Sequence, residues 1–499
     1  VFFQSQRTER RQGALSRRAA RPTFAVSLAV TLVGAPVLAA AGPCDLYASG
    51  GTPCVAAHST TRALYSGYGG SLYQVKRWSD STTKDIGVLS TGGRANAATQ
   101  DTFCAGTYCS ITRIYDQSGH GNHLTVAPGG GANPSGDFLA NAAALPLKVG
   151  GSSVYGVYVS AGVGYRNDAT SGIATGSASE GIYMVTSGTH VNDRCCFDYG
   201  NAETNNKDNG NGHMDAVYFG RLAWFATTGA GPWVMADLEN GLFQGGNGAN
   251  SNNTGRSTTY VTAMTKQDAT TYAIRDGNAQ SGSLKTDYAG ALPTTSGYVP
   301  FHKEGAIILG IGGDNSNGSV GSFYEGAMVS GKPSDATENS VQADIVAAGY
   351  GNPSTSFPVV GTAYRITNVA SGKVLDAVNC GTANGTLVDQ WSSLGNTCQQ
   401  WRFSQAGTGT YTITNVNSGT VLDAKNCGLA DGTVVDLWSS LGNSCQKWEV
   451  VPGGNGKYML VVENSGMVLD DVNCGTANGT KADLWQWLDN TCQLWTIAP

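Results

Sequence analysis

Asp237 and Glu239 stand two residues apart in the segment Trp233-Val-Met-Ala-Asp-Leu-Glu-Asn240, a spacing at which two acids can work on one group. Read as a strand, the segment sends Val234, Ala236 and Leu238 to one face, and Trp233, Met235, Asp237 and Glu239 to the other. Carboxylates held close together raise one another's proton affinity, so one can keep a proton while its neighbour stays charged. That division suits acid–base or nucleophilic chemistry beside an aromatic wall. Acids on an exposed strand face are also common with no such role.

A third acid, Asp314, ends the run Ala306-Ile-Ile-Leu-Gly-Ile-Gly-Gly, an apolar strand that breaks into glycines. Gly312 and Gly313 would let the backbone approach a ligand closely. Cys195 and Cys196 are adjacent. Neighbouring Cα atoms lie ~3.8 Å apart, short of the ~4.4–6.8 Å usual for a disulfide. A bridge there closes a rigid eight-membered ring, unless each cysteine pairs elsewhere.

The elements that position these groups are strands. Only 13% of the 499 residues are charged and 69 are glycine, a turn-rich composition. With 40% hydrophobic residues the chain can bury a core, which excludes disorder and points to an all-β fold. A short capped helix is expected at Asp335-x-x-Glu338 with Val341, Ile345 and Val346, and few other helical patterns occur between residues 42 and 330. A net charge of −6 argues against nucleic acid or an anionic membrane as partner.

Six arginines between Arg7 and Arg21 precede an apolar run from Phe24 to Leu38 and then Ala39-Ala-Ala41. Residues 1–41 therefore read as a signal peptide, too short and too broken at Pro36 to span a membrane, and the chain is expected to be secreted and extracellular. Export permits disulfides, and all twelve cysteines can pair locally. Cys44 and Cys54 bracket a Gly-rich turn, Cys104 and Cys109 bracket another, Cys195 and Cys196 are adjacent, and six lie beyond residue 362. The Pro/Ser stretch Gly351–Pro358 marks a boundary, giving a first domain over 42–350, a linker over 351–361 and a second domain over 362–499. Six cysteines on each side suggest independent domains.

The second domain is three near-copies of one unit. Cys380, Cys427 and Cys474 lie 47 residues apart, as do Cys398, Cys445 and Cys492, and each unit closes on Cys-Gln-x-Trp. Such units cannot bury their apolar faces singly, but three closing on one another can. Gln399-Gln-Trp401, Gln446-Lys-Trp448 and Gln493-Leu-Trp495 resemble the signature of the ricin-B-type β-trefoil lectins, carbohydrate-binding module family 13. The resemblance implies that these tryptophans are core. It also implies sugar sites at Asp376 with Trp391, Asp423 with Trp438, and Asp470 with Trp485, where a carboxylate takes hydroxyl protons and an indole covers a pyranose face. Family members place Asn before that Gln; here Cys398, Cys445 and Cys492 stand there, suggesting one bridge per repeat, Cys380–Cys398, Cys427–Cys445 and Cys474–Cys492.

The blocks Gly42-Pro-Cys-Asp-Leu-Tyr, Tyr115-Asp-Gln-Ser-Gly, Cys195-Cys-Phe-Asp-Tyr-Gly-Asn-Ala-Glu-Thr and Gly310-Ile-Gly-Gly-Asp-Asn-Ser-Asn resemble glycoside hydrolase family 54, whose members are secreted α-L-arabinofuranosidases. The resemblance implies a jelly-roll or concanavalin-like β-sandwich and a retaining mechanism, with Glu239 as nucleophile and Asp314 as acid/base. By the same resemblance Asp237 and Asn240 contact sugar hydroxyls, and a Cys195–Cys196 bridge forms a platform under the furanose. Trp224 walls the pocket and the Gly313 backbone lies beside it.

The expected enzyme is an exo-acting α-L-arabinofuranosidase, needing no cofactor and working as a monomer on plant cell-wall arabinoxylan or arabinan. The rivals are β-xylosidase or dual action, and a non-catalytic sugar-binding protein. No metal is expected, since His120-Gly-Asn-His123 lacks a third ligand.

Overall fold

The computed structural model describes residues 40–224, 229–247, 250–353 and 357–499. All but the last two residues of the expected signal segment, and part of the expected linker, lie outside them. Among the described residues no helix is long and apolar enough to cross a membrane.

Alternation in the strands of the first domain sorts side chains onto two unlike faces. A ten-stranded antiparallel sheet runs, in spatial order, Leu242–Phe243, Trp233–Asp237, Asp215–Gly220, Asp198–Ala202, Ala306–Leu309, Tyr165–Asn167, Leu124–Val126, Cys109–Ile114, Ser71–Arg77 and Thr83–Gly87. Its inner face supplies Tyr199, Val217, Phe219, Val234, Ala236, Ile307 and Leu309 to the main core. Opposite it lies a six-stranded sheet ordered Cys54–Ser59, Glu325–Ser330, Glu180–Thr186, Val261–Gln267, Thr271–Asn278 and Lys285–Ala291. The result is the expected sandwich. A third sheet of four strands, built around Leu145–Val149 and Ser152–Val159, flanks it. On the outer face of the large sheet one stretch is small, Ala202, Ala216 and Ala306, and a Cβ on Gly200 would stand 2.6 Å from the Ala216 Cα. Small side chains there leave a floor on which other groups can converge.

The helices differ from expectation in detail. The C-terminal helix runs Asp335–Ala348, but its cap is Ser334, whose side chain accepts the Thr337 N–H. Glu338 is not a capping partner: it is buried, and takes Lys266 Nζ at 2.8 Å and Arg275 Nη1 at 2.7 Å. Two short helices, Pro43–Ser49 and Ala97–Phe103, escaped the sequence reading because seven residues carry too little periodicity.

The second domain is a β-trefoil in which three hairpin strands, Thr386–Trp391, Thr433–Trp438 and Thr480–Trp485, pair with one another. Trp401, Trp448 and Trp495 are fully buried, and each indole N–H donates to the leucine carbonyl 26 residues earlier, at 3.1, 3.0 and 3.0 Å. All six expected disulfides are present, one in each repeat and three in the first domain.

The domains are not separated. Val451, Met459, Val461, Val468, Trp487 and Leu494 of the trefoil join the same apolar cluster as the sandwich core. Repeats 2 and 3 both dock, repeat 2 through Asn455, which accepts the Gly106 N–H at 3.0 Å and donates to Cys104 O and Thr107 O. Trp487 donates its indole N–H to Leu139 O at 2.9 Å, Asp489 O accepts the Tyr108 hydroxyl at 2.7 Å, and Asp489 Oδ1 accepts Ser110 Oγ at 2.5 Å. Repeats 1 and 2 have Ser393 and Ser440 where Trp487 stands, and Gly395 and Gly442 where Asp489 stands. From repeat 2, Glu449 takes a hydrogen bond from the Tyr158 hydroxyl at 2.8 Å.

Candidate active site

The candidate residues gather on the outer face of the ten-stranded sheet. Asp198 and Asp237 rise from strands separated by one neighbour, Asp215–Gly220; Asp237 stands opposite Ala216 and Asp198 opposite Tyr218, so the two acids meet on a diagonal across that strand. Cys195 and Cys196 precede one strand, and Gly310–Asp314 follows its partner at the same edge, because Tyr199 pairs with Leu309. Cys196, Tyr218, Trp233, Met235 and Leu242 form an apolar patch against which Cys195, Leu222 and Ala223 pack. Trp224 follows them in the chain and is 49% exposed.

Glu239 does not continue the strand. The strand ends at Asp237, and Glu239 and Asn240 turn back with φ of 62° and 52°. The sequence reading aligned Glu239 with Asp237 on one strand face; the turn aims it separately. Left-handed backbone is uncommon outside glycine and asparagine, and here three contacts hold it. Glu239 N–H donates to Asp237 Oδ1 at 3.1 Å, Tyr298 hydroxyl donates to Glu239 O at 2.9 Å, and Asn240 Nδ2 donates to Asp208 Oδ1 at 3.1 Å. Glu239 is buried, yet its Oε2 has no hydrogen-bond partner among the described residues. Burying an unpartnered carboxylate oxygen is costly.

Asp314 is anchored by one oxygen. Its Oδ1 accepts both the Ser316 N–H at 3.0 Å and the Ser316 hydroxyl at 2.5 Å. Both donors fall on Oδ1, which fixes the carboxyl's orientation and leaves Oδ2 for a ligand.

Electrostatically the floor is a nest of acids. Burial drives Asp198 well above the ordinary carboxylate range, with Asp237, Glu203 and Asp314 adding repulsion. Asp237 is pushed up to about 7 by burial, with Asp198 facing it as proton donor. Cys196 Sγ lies 3.5 Å from Asp237 Oδ2. Cys195, Cys196 and Asp237 converge within 4.8 Å, but sulfurs joined in a disulfide offer no thiolate to a metal.

Sequence reasoning missed Glu203 and Arg166. Glu203 is fully buried and neither carboxyl oxygen has a hydrogen-bond partner among the described residues; burial pushes it up to about 8. It explains Gly313: a Cβ there would stand 1.9 Å from Glu203 Oε2. The glycine expected to admit a ligand instead admits this carboxyl. Arg166, buried beside them, donates to Gly313 O at 2.7 Å and also to Glu203 O. A Glu seven residues after the cysteine pair was the available signal. His123 is structural, its Nδ1 accepting the Asp116 N–H at 2.9 Å.

In the trefoil, Asp376, Asp423 and Asp470 are each paired across the hairpin with a second acid, Asp389, Asp436 and Asp483. The sequence carried those partners in its Asp-x-Trp steps, but assigned them no role. Burial pushes Asp376 up to about 6 and Asp470 to about 7, and raises Asp423. Lys481 lies 3.6 Å from Asp389 and Lys425 3.9 Å from Asp436. Trp391 and Trp438 are each 37% exposed, while Trp485 is more covered.

Comparison with known proteins agrees with this architecture. Residues 43–351 match the family model "Alpha-L-arabinofuranosidase B, catalytic", and residues 356–438 and 444–499 match "Ricin-type beta-trefoil lectin domain-like". The α-L-arabinofuranosidase B of Aspergillus oryzae is 61% identical over 334 residues, 65% of this chain and 66% of its own length. A Trichoderma koningii protein named arabinofuranosidase/B-xylosidase is 61% identical over 340 residues, 67% of this chain and 68% of its own. The chain thus spans about two thirds of the curated relatives it matches. A crystal structure of an arabinofuranosidase complexed with arabinofuranosyl-α-1,2-xylobiose superposes with a TM-score of 0.78 at 40% identity, covering 92% of this chain and 99% of the other. The chain belongs to the α-L-arabinofuranosidase B family, glycoside hydrolase family 54, and carries a ricin-type β-trefoil lectin domain after its catalytic domain.

Proposed function

We propose that the protein is a secreted, retaining exo-α-L-arabinofuranosidase that removes terminal arabinofuranosyl groups from arabinoxylan or arabinan. The observation that carries this reading is the pairing of a buried Glu239 with an unpartnered Oε2 and an Asp314 anchored through Oδ1 alone. Glu239 attacks the anomeric carbon, and Asp314 delivers its Oδ2 proton to the departing glycosidic oxygen, so the aglycone leaves as an alcohol. Asp314, now ionised, takes a proton from water as it attacks the arabinosyl-enzyme, which releases arabinose with its configuration retained.

The surrounding groups bind. Asp237 and Asn240 accept and donate to sugar hydroxyls, the Cys195–Cys196 disulfide lies under the furanose, Trp224 covers one side, and the Gly313 backbone lines the pocket. Asp198 holds a proton against Asp237, so no more than one negative charge of the pair stands beneath the sugar. In the trefoil, Trp391 and Trp438 stack on polymer sugars while Asp376 and Asp423 take their hydroxyls. Repeat 3, with Asp470 and Trp485, serves mainly to dock.

The test is Glu239→Gln assayed on 4-nitrophenyl α-L-arabinofuranoside, with the anomer of the first product followed by NMR. A loss of at least about 10³-fold in kcat is expected, with the α-anomer formed first by the unaltered enzyme. Near-native turnover of the variant, or the β-anomer first, sinks the assignment. The dual name of the Trichoderma relative favours a secondary reading, that β-xylosides are also cleaved at this site. Parallel assay on 4-nitrophenyl β-D-xyloside decides it.

A further inference from the structure

A cleft of about 570 Å³ begins at Cys195 and is lined by Ser316 and Asn317, the residues that follow Asp314, by Asp193 and Leu222, and from the second domain by Leu429. An acid that protonates the glycosidic oxygen must touch the leaving group, so the aglycone extends beside Asp314. The cleft lies along the residues that follow Asp314.

Leu429 breaks the threefold pattern of the trefoil where one repeat borders the cleft. The loop reads Gly381-Thr-Ala-Asn-Gly in repeat 1 and Gly475-Thr-Ala-Asn-Gly in repeat 3, but Gly428-Leu-Ala-Asp-Gly in repeat 2. Leucine thus replaces Thr382 and Thr476 at the one position of the three that lines the cleft. It is 47% exposed. The second change, to Asp431, points the same way. Asn384 and Asn478 open Asn-Gly-Thr glycosylation sequons, and each accepts the backbone N–H of a serine, at 2.8 and 2.9 Å. Asp431 Oδ1 makes the equivalent bond, accepting Gln486 N–H at 2.8 Å, but has no amide to carry a glycan. Repeat 2 keeps the loop's structural bond and loses the group that would place a glycan beside the cleft. Asn317, a sequon within the cleft, has its Nδ2 committed to Asp137 Oδ1 at 2.6 Å.

We infer that the trefoil completes the aglycone site: Leu429 packs against the apolar face of the backbone pyranose that bears the arabinose, opposite Leu222. A leucine suits this place because a pyranose presents C–H groups on its faces and hydroxyls at its rim, where Asp193 can reach them. The inference rests on the arabinofuranosidase reading and adds a specificity determinant to it.

The test replaces Leu429 by the residue of its sister repeats. Leu429→Thr, with Thr382→Leu as control, is compared on 4-nitrophenyl α-L-arabinofuranoside, which lacks a sugar aglycone, and on an arabinofuranosyl xylo-oligosaccharide. Leu429→Thr should leave kcat/KM on the first unchanged and lower it about fivefold on the second, mostly through KM; that factor corresponds to about 1 kcal/mol. Thr382→Leu should change neither. An unchanged ratio between the two substrates, or an equal fall on both, overturns the inference. Failure of the unaltered enzyme to cleave either substrate would instead overturn the arabinofuranosidase reading itself.

Discussion

Gly313→Ala tests whether the acid nest positions Asp314. The new Cβ would lie 1.9 Å from Glu203 Oε2 and 2.9 Å from its Cδ, so something must move by more than an ångström. Glu203 is fully buried and cannot swing into water. Overpacking of this kind costs about 1–3 kcal/mol, which for a body of this size lowers Tm by about 1–3 °C. Arg166 ties Gly313 O to Glu203 O, so the displacement passes to the adjacent Asp314. A shift approaching 1 Å costs up to about 10²-fold in rate, and kcat should fall about 10–100-fold. The assay is calorimetry with steady-state kinetics on the nitrophenyl arabinoside. Gly313→Ala/Glu203→Ala should recover part of both losses, whereas Gly313→Ala/Glu203→Gln, which keeps the clash, should not. Native stability and rate in the single variant, or a double variant no better than the sum of its parts, refutes the reasoning.

Stability should fall as pH rises. Asp137, Asp237, Glu449, Asp470 and Asp471 are all raised to about 7, and Glu203 to about 8, all chiefly by burial. Unfolded, they titrate near ~4, so the folded chain binds more protons between about pH 4 and 7, and stability is lost across that window. Tm should drop on the order of 10 °C from pH 5 to pH 8; a flat or rising Tm contradicts the buried-acid account. For the trefoil, Trp391→Ala/Trp438→Ala should weaken pull-down on insoluble arabinoxylan about tenfold or more, with nitrophenyl arabinoside hydrolysis unchanged. Loss of binding in Trp485→Ala alone would reverse the division of roles among the repeats.

The repeats were legible because their spacing is rigid, and their cysteines and tryptophans fell where the period demanded. The β content was legible in composition and alternation; the sandwich, and the roles proposed for Asp237, Glu239 and Asp314, came from resemblance. What escaped was long-range. Glu203 and Arg166 matter because strands distant in sequence bring them behind Gly313, and nothing in their local pattern says so. The bend at Glu239 was hidden because a strand pattern does not reveal where the strand stops. The cysteine count suggested two independent domains, but cysteine pairing is local, whereas the joint between domains is made of Trp487, Asp489 and the apolar side chains around them.

Trp487 has one more implication. Most sugar-binding appendages hang on a leash, and a leash lets an enzyme sweep over whatever lies within reach of its anchor point. Here the adhesive ring is bolted to the cutting body through an indole and an aspartate. On the proposed function, grip and cut hold one bearing, so the protein would have to let go of the polymer and settle again to reach a branch facing another way.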